Sequence, residues 1–119
     1  MPKRLEKKTL DGNVETLILA QLQKGPSYGY RIIQQLNQTA PELLAFGEGT
    51  IYPVLHRLEE KGLVSSYWDA SESGRKRKYY KLMAKGKRSL AANIRQWRML
   101  QQVMEAALSE LDPKSGLTS

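Results

Sequence analysis

Residues 47–82 read GEGTIYPVLHRLEEKGLVSSYWDASESGRKRKYYKL, and this stretch decides the fold. A glycine-flanked start opens a short helix predicted over Thr50–Lys61. Ile51, Leu55 and Leu58 recur on one face of it, and Val54 widens that stripe. Tyr52, His56, Arg57 and Lys61 point the other way. Gly62 stops the helix. Two strand-like runs follow, Leu63–Trp68 and Arg77–Leu82, and the polar loop between them ends in four consecutive cations, Arg75, Lys76, Arg77 and Lys78.

A helix with a polar, partly basic outer face suits a DNA major groove, and a basic-tipped hairpin beside it suits the neighbouring backbone. The expected fold is therefore mainly α with a small β-hairpin, a winged helix-turn-helix followed by a long C-terminal dimerisation helix. Charge supports this reading through its placement more than its sum. The 119-residue chain carries 19 Lys+Arg against 12 Asp+Glu, a net charge of +7. From Gly74 to Arg88 there are eight bases (Arg75, Lys76, Arg77, Lys78, Lys81, Lys85, Lys87, Arg88) and no acid. Localised positive charge is the electrostatic signature of a nucleic-acid binder. A second cluster, Lys3, Arg4, Lys7 and Lys8, opposed only by Glu6, reads more simply as solvated surface.

Working outward, residues 1–9 are expected to be a basic, flexible N-terminus. A first helix is predicted from Leu10 to Gln23, with Val14, Leu17, Ile18 and Leu22 inward, ended by Gly25-Pro26. Ser27 is the expected N-cap of a second helix, Tyr28–Gln38, with Tyr30, Ile33 and Leu36 inward and Ile32 as a further candidate for that face. Gly29 in its first turn is locally unfavourable and suggests that another backbone passes close by. The connector 39–49 is too apolar at Leu43, Leu44 and Phe46 to stay in water, so it should pack over the core. Pro53 is placed in the first turn of the third helix, where its missing N–H has no intrahelical partner.

A last helix is predicted over Ala84–Leu111, about 40 Å long and too long for so small a domain to cover. Leu90, Ile94, Trp97, Gln101, Met104, Leu108 and Leu111 follow one another at alternating spacings of four and three. Such a seam asks for a partner helix, most simply the same helix of a second chain, although packing on the first helix is an alternative. The resulting layout is 1–9 flexible, 10–82 DNA-binding, 83–111 dimerisation helix and 112–119 flexible tail.

In this order and spacing the motifs resemble the PadR family of bacterial transcriptional regulators. The carrying residues are Tyr28-Gly29-Tyr30, Gly49-Thr50-Ile51-Tyr52-Pro53, Leu55, Arg57-Leu58-Glu59, Gly62-Leu63, Arg77-Lys78-Tyr79-Tyr80, Leu82 and Gly86. A single helix after the wing matches the short subclass. The resemblance implies a homodimeric repressor on a near-palindromic operator. It also implies a cavity at the dimer interface for a flat aromatic effector, with Trp97 at that place and Gln101 and Ile94 beside it. Equally, Trp97 can be a large hydrophobic dimer contact. One departure is Met83, where members commonly carry a threonine that would cap the last helix, a loss of about 1 kcal/mol.

Base contact is expected from Thr50, Tyr52, Pro53, His56 and Arg57, with Arg57 best suited to guanine, though it can also serve Glu60 or a phosphate. Tyr28, Lys61 and Arg75 to Lys78 are expected to hold phosphates. The lone His56 reads as a surface contact, and no metal site, cofactor or catalytic residue is expected. With no cysteine, disulfide and thiol chemistry are excluded. No apolar run suits a membrane, so a soluble, cytoplasmic protein is expected. The rivals are an enzyme, which the residues do not support, a winged-helix protein-interaction module, and a non-specific nucleic-acid-packaging protein.

Overall fold

The computed structural model describes residues 4–111. In chain order it contains α1 (Lys7–Leu10), α2 (Val14–Gln23), β1 (Ser27–Tyr28), α3 (Gly29–Thr39), α4 (Glu48–Glu60), β2 (Val64–Ala70), β3 (Lys76–Leu82) and α5 (Ala84–Leu108), closed by a 3₁₀ turn, Ser109–Leu111. This is the winged helix-turn-helix with a long final helix that the residue pattern predicts.

Three helices build the core. Ile18, Leu19 and Leu22 of α2 meet Ile32, Ile33 and Leu36 of α3 and Ile51, Val54, Leu55 and Leu58 of α4, all buried. Each full burial of such a side chain contributes roughly 1.5–3 kcal/mol. Leu44 and Phe46 close the core from the connector, as expected, whereas Leu43 stays exposed. The connector is held by Asn37, whose amide donates to Phe46 O at 3.0 Å and whose oxygen accepts from Phe46 N–H at 2.7 Å. Gln21, buried between α2 and α3, donates to Gln35 Oε1 at 2.6 Å.

The sheet is antiparallel in the order β1-β3-β2. In the hairpin Val64 faces Leu82, Tyr67 faces Tyr79 and Ala70 faces Lys76. Side chains alternate, so Tyr80 goes into the core while its neighbours Tyr79 and Lys81 lie on the other face.

Several expectations need correction. The first helix begins at Val14, because Gly12 adopts φ +85° and separates it from the short α1. Within the N-terminal stretch Leu5 N–H donates to Leu43 O at 2.9 Å, and Arg4 donates to Pro41 O at 3.2 Å. Residues 1–3 and the expected tail 112–119 lie outside the described residues. Ser27 caps no helix. It pairs with Tyr80 in β1, and its hydroxyl accepts from Arg31 Nε at 3.0 Å. Tyr30 is exposed, and Ile32 takes its place in the core. Pro53 sits in the second turn of α4, since that helix opens at Glu48. The Gly49 carbonyl thus loses its intrahelical donor, a loss made tolerable because Gly49 is exposed to solvent.

Met83 caps α5 without a side-chain bond; its N–H donates to Leu63 O at 3.0 Å and its C=O accepts from Lys87 N–H at 2.9 Å. The first turns of α5 pack on α2, with Asn93 Nδ2 donating to Thr16 Oγ1 at 3.0 Å. Leu90, expected on the seam between subunits, is consequently buried in its own domain's core. Beyond Arg98 every described residue of the helix is exposed, and the molecule reaches 57 Å along its longest axis.

Candidate nucleic-acid interface

The outward face of α4 presents Thr50, Pro53, His56 and Arg57, all exposed, with Tyr52 half-buried beside them. These residues do not all look the same way. Tyr52 and His56 turn toward the wing and, with Tyr28, Gly29, Tyr30, Lys76, Arg77, Lys78 and Tyr80, line a cleft of about 290 Å³. No carboxylate lines it. Thr50, Pro53 and Arg57 border a larger groove, about 640 Å³, shared with α1 and the connector. Lys61 belongs to that second flank, because its ammonium is 3.0 Å from Glu15 on α2. Arg57 Nε also faces Glu15, at 3.9 Å.

Tyr52 explains Gly29. The phenol ring lies against the first turn of α3, so a Cβ at Gly29 would fall 2.6 Å from Tyr52 Cζ and 2.7 Å from its hydroxyl. A close approach was expected there, but its source is a side chain of α4 and not a passing backbone. Burial raises the Tyr52 phenol above its ordinary value, Glu48 and Tyr80 add to this, and Arg77 opposes it. Burial raises Tyr80 likewise, with Glu59 second. At neutral pH both phenols are therefore protonated, and Tyr52 can donate a hydrogen bond to an anionic oxygen where a phenolate would repel it.

The four wing cations are not equivalent. Arg75 and Lys76 are exposed at the turn. Lys78 is 3.9 Å from Glu59 and lies over the Tyr80 ring, 5.6 Å from its centre. Arg77 stacks on Tyr28 at 4.5 Å, and among the described residues its buried Nε has no hydrogen-bond partner. Arg31 stacks on the same ring at 4.9 Å and is braced by Ser27, Pro26 O and Glu72. Tyr79 completes the group, edge-on to Tyr28 at 5.3 Å and stacked with Tyr67 at 5.7 Å. Tyr30 and Tyr79 were read from the sequence only as motif or core residues, and Arg31 and Tyr67 were not singled out at all. Only the two-residue strand β1 brings Tyr28 beside Tyr79, and no local signal marks it. Trp68 of β2, 66% exposed opposite Lys78, was likewise not singled out.

On α5, Ile94, Trp97, Met104, Leu108 and Leu111 are exposed, as are Leu100 and Val103 on the adjoining flank. Trp97 and Ile94 share a groove of about 310 Å³ with Asn13, Thr16, Leu17 and Arg98. Gln101, one turn further on, is exposed but outside that groove. Among the described residues no helix is long and apolar enough to cross a membrane.

The model of the transcriptional regulator PadR-like family matches residues 18–92 of the chain. A PadR-like transcriptional regulator of Bacillus cereus superposes with a TM-score of 0.77 at 31% identity, over 86% of this chain and 97% of that one. A PadR family transcription regulator of Clostridium difficile does so with a TM-score of 0.72 at 36% identity, over 80% and 97%. For a transcriptional regulator of Clostridium thermocellum the values are 0.76 and 30%, over 84% and 97%. An uncharacterised protein of Lysinibacillus sphaericus is 28% identical over 101 residues, 85% of this chain and 93% of its own length.

Proposed function

Since the chain belongs to the PadR-like family of transcriptional regulators, we propose that it is a homodimeric, sequence-specific repressor. In this reading residues 10–82 grip a near-palindromic operator and residues 83–111 join two copies. The observation that carries it is the cleft between α4 and the wing, where Lys76, Arg77, Lys78 and His56 converge with no acid in the lining. A recognition helix in the major groove brings that cleft over the backbone of one strand.

Thr50, Tyr52, Pro53, His56 and Arg57 then face base edges, and Arg57 reads guanine. Tyr28, Lys61, Arg75, Lys76, Arg77 and Lys78 set affinity and register on phosphates. Lys61 is the weakest member of that set, being already neutralised by Glu15 at 3.0 Å. The exposed stripe of Ile94, Trp97, Gln101, Met104, Leu108 and Leu111 supplies the seam between subunits, whereas Leu90 serves its own core. A planar, neutral aromatic effector stacking on Trp97, beside Ile94 and Gln101, would release the operator. The rivals are a protein-interaction module and a non-specific packaging protein; an acid-free wing cleft disfavours the first.

The test is titration against the DNA upstream of the chain's own gene and a scrambled duplex, at two salt concentrations. A preference of about a thousandfold or more, falling steeply with salt, supports the repressor. Equal binding to both duplexes means either that the operator lies elsewhere or that packaging is right, which a genome-wide site selection decides, and no binding at low salt favours the interaction module. Sedimentation at micromolar concentration reports the dimer.

A further inference from the structure

The two flanks of α4 differ in how their cations are satisfied. On the wing side Arg77 and Lys76 meet no carboxylate within ion-pair distance among the described residues. On the other side a single carboxylate, Glu15 in the first turn of α2, serves two cations of α4. Glu15 Oε2 is 3.0 Å from Lys61 Nζ and 3.9 Å from Arg57 Nε. Its side chain is 27% exposed and that of Arg57 is 54% exposed, so the carboxylate is sheltered while the guanidinium reaches outward.

The atom of Arg57 that faces Glu15 is Nε, not the terminal fork. Among the described residues neither terminal nitrogen of Arg57 pairs with a carboxylate. Nε lies 3.9 Å from the carboxylate, an ion pair and not a hydrogen bond, and the terminal fork stays free for the two parallel N–H bonds that guanine O6 and N7 accept together. An unsupported arginine would have to give up its rotamer freedom on binding. The same carboxylate oxygen also accepts from Lys61 Nζ, at 3.0 Å.

We propose that Glu15 is a positioning residue for base readout, a buttress from the first helix of the fold that aims Arg57 at a G·C pair. This deepens the proposed repressor function and rests on Arg57 reading bases. Two effects of the carboxylate act in the same direction. Orientation favours the correct base, and neutralisation reduces the pull of Arg57 and Lys61 toward any phosphate. Both raise the ratio of operator affinity to affinity for arbitrary DNA.

The experiment uses a duplex that the full-length protein itself enriches from a randomised pool, its single base-pair variants and a scrambled control. Glu15→Gln removes the charge and keeps the shape. It is expected to lower the ratio of enriched to scrambled affinity by roughly tenfold, with the loss confined to the G·C pair that Arg57→Ala also stops discriminating. In the Arg57→Ala background Glu15→Gln should change that ratio by less than about twofold, since the two act as one unit. Glu15→Asp, which draws the carboxylate back, should show the same direction of loss.

An unchanged ratio for Glu15→Gln overturns the buttress. So does independent multiplication of the Glu15→Gln and Arg57→Ala effects, which would make Glu15 a general charge effect. Failure of the wild-type protein to enrich any sequence is a different result, which overturns sequence-specific recognition and this inference with it.

Discussion

The ring of Tyr52 occupies the space in which Gly29 would carry a Cβ. One contact thereby joins the start of α3 to the second turn of α4. Gly29→Ala is expected to destabilise the domain by about 1–3 kcal/mol, as overpacking does. The cost should shrink in a Tyr52→Ala background, where the obstructing ring is gone. Thermal unfolding of the two single variants and the double variant measures the coupling.

Alkaline pH should loosen the same region. Tyr52 and Tyr80 have phenols raised by burial, so the fold holds them protonated more firmly than the unfolded chain does. A phenol raised in the folded state contributes stability that is complete below its unfolded value, about 10, and is lost as pH rises through the folded value. Urea midpoints should therefore be flat up to about pH 9 and fall beyond about pH 10. Tyr80→Phe should flatten that fall; an identical decline in the variant would show that other groups cause it.

Wing cations should act on affinity without changing the preferred sequence. Lys76 is exposed and lines the acid-free cleft, so Lys76→Ala should weaken enriched and scrambled duplexes alike. The slope of log affinity against log salt should lose about 0.9 for the lost phosphate contact. Lys78 lies 3.9 Å from Glu59, and Lys78→Ala should lower the slope by less. Binding isotherms at four salt concentrations would tell the two apart.

The C-terminal seam divides at Ile94. Leu90→Ala should cost about 2–4 kcal/mol of fold stability, because it empties a buried site of the monomer. Leu108→Glu places a charge on the exposed stripe and should leave the domain folded while abolishing dimer formation. Sedimentation combined with circular dichroism separates the outcomes, and a dimer surviving Leu108→Glu would move the interface elsewhere.

The proposed effector contact is tested at Trp97, which is 52% exposed. Trp97→Ala should remove the response to planar aromatic compounds and leave operator affinity within about threefold. A response retained in full would place the effector away from this side chain.

Much of the site was legible because its residues cluster along the chain. The α4 residues and the wing cations fall within one stretch of sequence, and their helical and strand periods sort inward from outward side chains. What escaped were residues whose role depends on a distant partner. Tyr30 looked like a core residue by spacing alone, yet the helix begins only at Gly29, after the β1–β3 pairing of Ser27 and Tyr28, and Tyr30 is exposed while Ile32 is buried. Arg31 became part of the site only through Tyr28 and Glu72. Arg57 and Lys61 were recognised as exposed cations, but their shared dependence on Glu15 lies 42 and 46 positions away in the chain.

The sequence by itself determined the element types, the winged helix-turn-helix, the extended last helix and the family. Periodicity, glycine and proline stops and local charge are short-range properties, readable wherever neighbours in the chain are also neighbours in space. Tertiary structure alone decided that Tyr52 requires Gly29, that β1 joins the sheet and that Leu90 belongs to the monomer core. It also decided that one carboxylate of α2 faces two cations of α4. Each of these is set by the packing of segments far apart in the chain, where the free energy of burying a shared surface outweighs local preference, and no local pattern records which surfaces will meet.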